Sequence, residues 1–424
     1  MRSRLLLLLL AAVLISAMLP GCSEPVSGEV VKSDKPRTTS PTAIPADQAM
    51  LVDGNNAFAF NMYQKLGEKG GNLVFSPYSI SLALAMAYAG AAGATEKSMA
   101  RAMHFDLPRD KLHPAFNALD QELAKRQGEG RGKDGKGFRL NIVNAIWGQQ
   151  GYKFLAQFLD TLAVNYGAGL RTLDFIQSPE LSRLTINEWV KEQTEGRIKD
   201  LIPQGAIDPL TRLVLTNAIY FNAAWQAQFE KSATSEGDFH NLDGTSGKAK
   251  LMQRTGYYRF IDVPGYQAVE LPYEGQQVSM LIIAPVQGKF ASFEKALDAA
   301  ALNATVKELK GGQVNLTLPR FTTEYDSSLK EALSALGMQD AFTGSADFSG
   351  MTGNRDLYIS DAIHKAFIEV DESGTEAAAA TAVIMGATAI PAKPLEIKID
   401  RPFIYLIRDV QTGTVLFLGR VVKL

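Results

Sequence analysis

The spacing of apolar and polar residues changes character along the chain. Residues 49–65 carry Phe58, Phe60, Met62 and Tyr63 at mixed helical spacing and predict an opening amphipathic helix. Next comes Ser76-Pro77, where the serine can cap a helix and the proline suits its first turn. Residues 80–92 are then apolar on nearly every face, which predicts a buried helix with layers on both sides. Residues 140–147 alternate as a strand, and 157–166 and 180–194 read as helices, the second ending at Gly196. The run 213–221 is too apolar for a sheet edge and predicts a central strand covered on both faces. Beyond Leu251 the chain is rich in strands, at 257–261, 267–271, 278–284, 314–319, 366–370, 396–399, 403–407 and 415–422. Helices early and strands late imply α+β with mainly antiparallel sheets, not the regular alternation of a doubly wound fold.

Composition narrows the class. A chain of 424 residues, 46% hydrophobic and 21% charged, can bury a large core. Its net charge of −2 offers no field for nucleic acid. The basic stretch Lys125, Arg126, Arg131, Lys133 and Lys136 is interleaved with glycines and reads as a solvated loop, a polyanion site being the alternative.

The N terminus is more specific. Arg2 and Arg4 precede the apolar run 5–15, which is too short for a stable span and predicts an export signal over residues 1–21. It closes on Leu19-Pro20-Gly21-Cys22, and Cys22 is the only cysteine in the chain, so no intramolecular disulfide can form. The segment resembles a prokaryotic lipoprotein signal, although Pro20 departs from the usual small residue; ordinary signal cleavage nearby is the alternative. A lipidated Cys22 would anchor the protein to the outer surface of a membrane, extracellular or periplasmic. Residues 22–47 are rich in Ser, Thr, Pro and charge, and predict a disordered tether leading to one folded domain over 48–424.

Catalytic signatures are missing. The four histidines, His104, His113, His240 and His364, form no HExxH, and the sequence has neither a Walker loop nor a Gly-x-Ser-x-Gly elbow. No metal or cofactor is expected. His364 reads as a buried histidine satisfied by hydrogen bonds in preference to a general base. Asn217, in the middle of an apolar strand, must also find partners, because an unpaired buried amide costs about 1–3 kcal/mol. The two are expected to share one network.

Residues 372–394 join two strands over a distance far longer than an ordinary connection. A flexible linker or an alanine-rich helix over 376–385 is compatible with the composition. As a strand, Thr375, Ala377, Ala379, Thr381, Val383 and Met385 would make one small, uncharged face with Glu376 on the other, fit to enter a sheet.

At this point four separated motifs resemble the serpin family, and the resemblance runs from about Ala49 to Leu424. They are residues 72–80; residues 216–221 with Trp225; His364-Lys365-Ala366 leading to Asp371-Glu372-Ser373-Gly374-Thr375-Glu376-Ala377-Ala378; and Asp400-Arg401-Pro402-Phe403.

The resemblance implies a single large domain of three mainly antiparallel sheets, about eight or nine helices and an exposed reactive-centre loop. It implies an inhibitor, not an enzyme. A target serine protease would be esterified by the residue before the cut, giving a covalent 1:1 complex with a monomeric inhibitor. The freed loop would then enter the main sheet as a new central strand. Insertion of about 14 residues, each gaining a net ~0.5–1.5 kcal/mol per ladder bond, gives on the order of 10 kcal/mol before ordering entropy.

The hinge would comprise Glu372, Gly374, Thr375, Glu376, Ala377, Ala378, Ala379, Ala380, Thr381 and Ala382, with nothing bulky or charged on its inserting face. Ser76, Ser79, Asn217 and His364 would lie beneath the opening strands, and Trp225 where the loop first enters. Counting from Glu372 puts the reactive bond at Thr388–Ala389, while counting back from Asp400 allows positions up to Ala392. Small, uncharged residues there imply an elastase-like or subtilisin-like target; a trypsin-like one would need cleavage after Lys393. A non-inhibitory serpin acting as a binding module, an inhibitor of cysteine proteases and an unrecognised hydrolase are the alternatives.

Overall fold

The computed structural model describes residues 28–126, 138–375 and 393–424. In chain order the first elements are β1 (Glu29–Val31), α1 (Pro45–Gly67), β2 (Leu73–Phe75), α2 (Pro77–Tyr88), α3 (Gly93–Met103), α4 (Arg109–Ala124), β3 (Arg139–Gln149), α5 (Ala156–Tyr166), β4 (Leu170–Leu173), α6 (Pro179–Gln193), β5 (Leu213–Ala224) and β6 (Ser235–His240). There follow β7 (Ser246–Val263), β8 (Tyr266–Pro272), β9 (Val278–Pro285), α7 (Phe290–Ala296), α8 (Ala299–Glu308), β10 (Lys310–Pro319), β11 (Phe321–Ser328), α9 (Lys330–Leu333), α10 (Ser349–Thr352), β12 (Ile359–Asp371), β13 (Gly374–Thr375), β14 (Leu395–Lys398), β15 (Phe403–Asp409) and β16 (Val415–Val421).

Local chemistry explains the elements that frame the site. Pro77 opens α2 at a position whose missing N–H costs nothing, and the Ser76 hydroxyl accepts from the Ser79 N–H as an N-cap. Every residue of α2 is buried, so the helix lies between layers as its sequence predicts. β5 is likewise buried at all positions. It pairs with β3 on one side and with β12 and β13 on the other, which makes it a central strand.

The seven-stranded sheet has the order β1-β4-β3-β5-β13-β12-β11. One face packs against α2 through Leu140, Ile146, Leu215 and Ile219 as part of the main core. The other packs under α6 through Trp147, Val214, Ala218, Ile186 and Val190. Among the described residues the remaining strands form one continuous ladder, β14-β10-β7-β8-β9-β15-β16-β2, with β6 on β7. Two of the three expected sheets are therefore fused. The cause is β7, whose 18 residues pair with β6 at one end, β10 along the middle and β8 at the other end. The described residues hold ten α-helices where eight or nine were expected; α9 and α10 are single turns of 4 residues each.

The N-terminal segment departs further from expectation. A disordered tether through residue 47 does not describe residues 28–47, which are docked. β1 extends the sheet edge antiparallel to β4, and α1 begins at Pro45. Between them Ser33 donates to Asp160 (2.6 Å), Lys35 pairs with the same carboxylate (2.8 Å), and Arg37 reaches Asn117 (2.8 Å) and Asp120 (2.6 Å). The amides of Asn117 and Gln121 both donate to the Thr38 carbonyl. A segment poor in apolar side chains is thus ordered by a strand ladder and by charged partners on α4 and α5, none of which its own composition reveals.

Arg126 also departs from its reading as a loop cation. It is buried at the end of α4 and pairs with Asp409 (2.9 Å) and Glu122 (3.0 Å). The signal at 1–21, Cys22, residues 376–382, Thr388 and Ala389 lie outside the described residues.

Candidate functional site: a gate between parallel strands

β5 and β12 run parallel and pair directly from Leu213 to Ile219 and from Ile359 to Ala366. Above that seam they part, and β13 lies between them antiparallel to both: Thr375 is opposite Ala223 on one side and Val370 on the other. The upper end of the sheet is therefore already held open by the first two residues of a third strand. Gly374 makes this approach possible. Its φ is +144°, and a Cβ there would fall 2.2 Å from the Ala223 carbonyl oxygen.

A clamp fixes the turn into β13. Trp225 donates from its indole to the Asp371 carbonyl (2.9 Å) and from its backbone to the Ser373 carbonyl (2.9 Å). The same ring stacks on Tyr273 at 4.6 Å between centroids, and the Tyr273 hydroxyl meets the Thr375 hydroxyl at 2.9 Å. Glu372 is buried and accepts from Arg320 (2.8 and 2.5 Å) and Thr234 (2.5 Å). Burial pushes its carboxyl up, but these hydrogen bonds outweigh that and hold it below the ordinary carboxylate range.

The seam below is polar at its centre. His364 and Asn217 are register partners and share a hydrogen bond between Nδ1 and Oδ1. The Ser76 N–H donates to His364 Nε2 (3.2 Å), so Nε2 is the acceptor and Nδ1 carries the proton given to Asn217. Asn217 in turn donates to Ser79 Oγ (2.6 Å) and Asn144 Oδ1 (2.5 Å). Burial drives the His364 pKa down to about 3, so the ring is neutral at ordinary pH. The four polar residues picked from sequence thus meet in one network, while Trp225 stands at the upper end with Glu372, Gly374 and Thr375.

Sequence reading missed Asn144, Tyr273, Arg320 and Thr234. Asn144 was detectable: it interrupts the apolar face formed by Leu140, Ile142 and Ile146, directly opposite Asn217. The other three lie far away in the chain and carry no local signal. Among the described residues no three His, Cys, Asp or Glu side chains gather as a metal site, and no helix is long and apolar enough to cross a membrane.

The site is thus a sheet covered on both faces whose two parallel central strands are parted at one end by β13. The family model for serpins, serine protease inhibitors, matches residues 53–424. An uncharacterized serpin-like protein of Thermococcus kodakarensis is 40% identical over 88% of this chain and 85% of its own. The leukocyte elastase inhibitor of Sus scrofa is 39% identical over 87% of this chain and 98% of its own. The crystal structure of the thermophilic serpin tengpin in its native state superposes with a TM-score of 0.83 at 29% identity, covering 94% of this chain and all of that one. The chain belongs to the serpin family, a family of serine protease inhibitors and not of enzymes.

Proposed function

We propose that this protein is a suicide-substrate inhibitor of elastase-like or subtilisin-like serine proteases, cleaved at Thr388–Ala389 and trapping its target as a covalent 1:1 acyl-enzyme. The observation that carries the reading is the position of Thr375 between two strands still zipped beneath it. Continued in register, an entering strand would set Ala377 opposite Phe221, Thr381 between Asn217 and His364, and Met385 opposite Leu213, where β5 begins. Apart from Glu376, small residues fill this track as far as Ala382, and the proposed bond lies just past its lower end. A central strand antiparallel to two parallel neighbours gains a ladder on both sides in exchange for the single seam it displaces.

The similarity to the leukocyte elastase inhibitor of Sus scrofa supports an elastase-like target. Incubation with pancreatic elastase or subtilisin should give an SDS-stable complex, and sequencing the released fragment should begin at Ala389. Clean cleavage with no complex would leave a substrate, not an inhibitor. We further propose export and lipidation at Cys22, with the folded part docked from Gly28 onward. Intact mass of the membrane-extracted N terminus tests this, and an unmodified mature Cys22 would exclude it.

A further inference from the structure

A cavity of about 690 Å³ lies beside the clamp, between the upper end of β5 and the face made by β7 and β8. It is within the size range of small-molecule sites. Its apolar wall is Trp225 with Pro272, its lining includes the buried Tyr258, and its mouth carries Arg254 and Arg259. Tyr257, also at the mouth, is 71% exposed. Gln276 at the lip holds a left-handed backbone, φ +57°, that a non-glycine residue adopts at a cost.

Charge around the cavity is unbalanced. Glu270 is buried and is shared by two guanidiniums, Arg259 at 2.5 Å and Arg408 at 2.7 Å, with Ser279 donating to the same carboxylate at 2.8 Å. Arg254 makes its hydrogen bond to the Tyr258 hydroxyl (2.9 Å) and has no carboxylate partner among the described residues. Two guanidiniums, Arg254 and Arg259, thus line the cavity with one carboxylate, Glu270, in a recess walled by an indole and phenols. Planar guanidiniums with aromatic walls suit a flat ligand bearing a carboxylate or sulfonate.

One wall is Trp225, the central residue of the clamp. Trp225 holds the Asp371 and Ser373 carbonyls and stacks on Tyr273, which holds Thr375. From the mouth, Gly256 leads through its register partner Val314 to Leu395 in β14, where the chain returns to the sheet. The cavity therefore lies between the two points at which the long segment leaves and rejoins the body. An occupant pressed against Trp225 would oppose any movement of that ring when the gate widens.

We propose that this cavity binds an anionic aromatic small molecule, held by Arg254 and Arg259 over Trp225, and that its occupant slows loop entry. The second half rests on the inhibitory reading above; the binding half does not.

The test uses 2-naphthoate and the full-length protein. Calorimetric titration should show saturable 1:1 binding, and Arg254→Gln, on the rim, should weaken it about tenfold by loss of one charged hydrogen bond without changing the melting temperature of the free protein. With 2-naphthoate saturating, complex formation with elastase should slow several-fold and more of the inhibitor should be cleaved without capture. No saturable binding, or equal affinity in Arg254→Gln, would overturn the site. Binding with unchanged inhibition kinetics would overturn the coupling while leaving the site. If the protein captures no protease even without ligand, the titration still decides the binding half, and protection of the 372–375 region from hydrogen exchange decides the coupling: no added protection by 2-naphthoate contradicts it.

Discussion

Two seams of this molecule run for similar lengths, six register pairs in one and seven in the other, and are built to opposite ends. β9 and β15 pair antiparallel from Ile283 with Ile404 to Val278 with Asp409, and both strands are buried throughout. Nothing in that seam has to be undone. β5 and β12 pair in parallel, a slightly weaker arrangement, and the centre of their seam is an asparagine facing a histidine. Those two side chains are satisfied by each other and by Ser76, Ser79 and Asn144; a further strand placed between them would break the bond they share, and a threonine hydroxyl on that strand would offer each a new partner. A seam that is apolar from Ile283–Ile404 to Met280–Ile407 gains most when it stays shut; a polar seam can exchange one set of hydrogen bonds for another at small net cost. The position of β13 at its upper end shows where such an exchange would start.

The largest break in this contrast should come from Thr375→Arg. Thr375 is buried and bonded to Tyr273, so a guanidinium entering at this point would carry an unpaired charge into the sheet, at a cost of several kcal/mol. The variant should still be cleaved but should form at least tenfold less SDS-stable complex per molecule cleaved. Unchanged partitioning would separate the gate from inhibition.

Acid should weaken the polar seam before the apolar one. The pKa of His364 is about 3, and burial likewise lowers His113 to about 3, against about 6.5 in an unfolded chain. Protons then bind the unfolded state more readily, so stability present above pH ~6.5 is lost as pH falls towards 3. At pH 4.5 the loss is about 2–3 kcal/mol for each histidine. Urea midpoints measured from pH 7.5 to 4 should fall accordingly, and His364→Gln should flatten the curve by about half. An identical slope in the variant would remove His364 as a cause.

Smaller effects belong to the clamp and the N-terminal strap. Glu372→Gln weakens a buried carboxylate's hold on Arg320, which is 42% exposed, and should cost about 1–2 kcal/mol in urea unfolding. Arg37→Ala should cost about 1 kcal/mol through its bonds to Asn117 and Asp120. Lys35→Ala, whose side chain is 61% exposed, should cost under about 0.5 kcal/mol. A reversed order would mean that the strap, not the clamp, holds the gate.

How much of this was legible follows from where each signal lies. α2 could be read with its cap because Ser76, Pro77 and the apolar run are contiguous. β5 could be read as central because 213–221 is apolar at nearly every position, on both of its faces. Asn217 and His364 drew attention because each is polar where burial was expected, and the resemblance supplied their meeting. β7 could not be read as one strand serving two sheets, since its pairing depends on β6, β10 and β8. The docking of residues 28–47 was hidden because its partners, Asp120 and Asp160, belong to helices far along the chain.

Melting before and after a single cut tests the central claim most directly. If the loop enters between β5 and β12 once its far end is free, limited cleavage within residues 383–392 should yield a nicked protein more stable than the intact one, its new ladders contributing on the order of 10 kcal/mol before ordering entropy. For a chain of this size, at about 1 °C per kcal/mol, Tm should rise by up to about 10 °C. A nicked protein that melts at or below the Tm of the intact one would contradict the account, because the gate would then have accepted nothing.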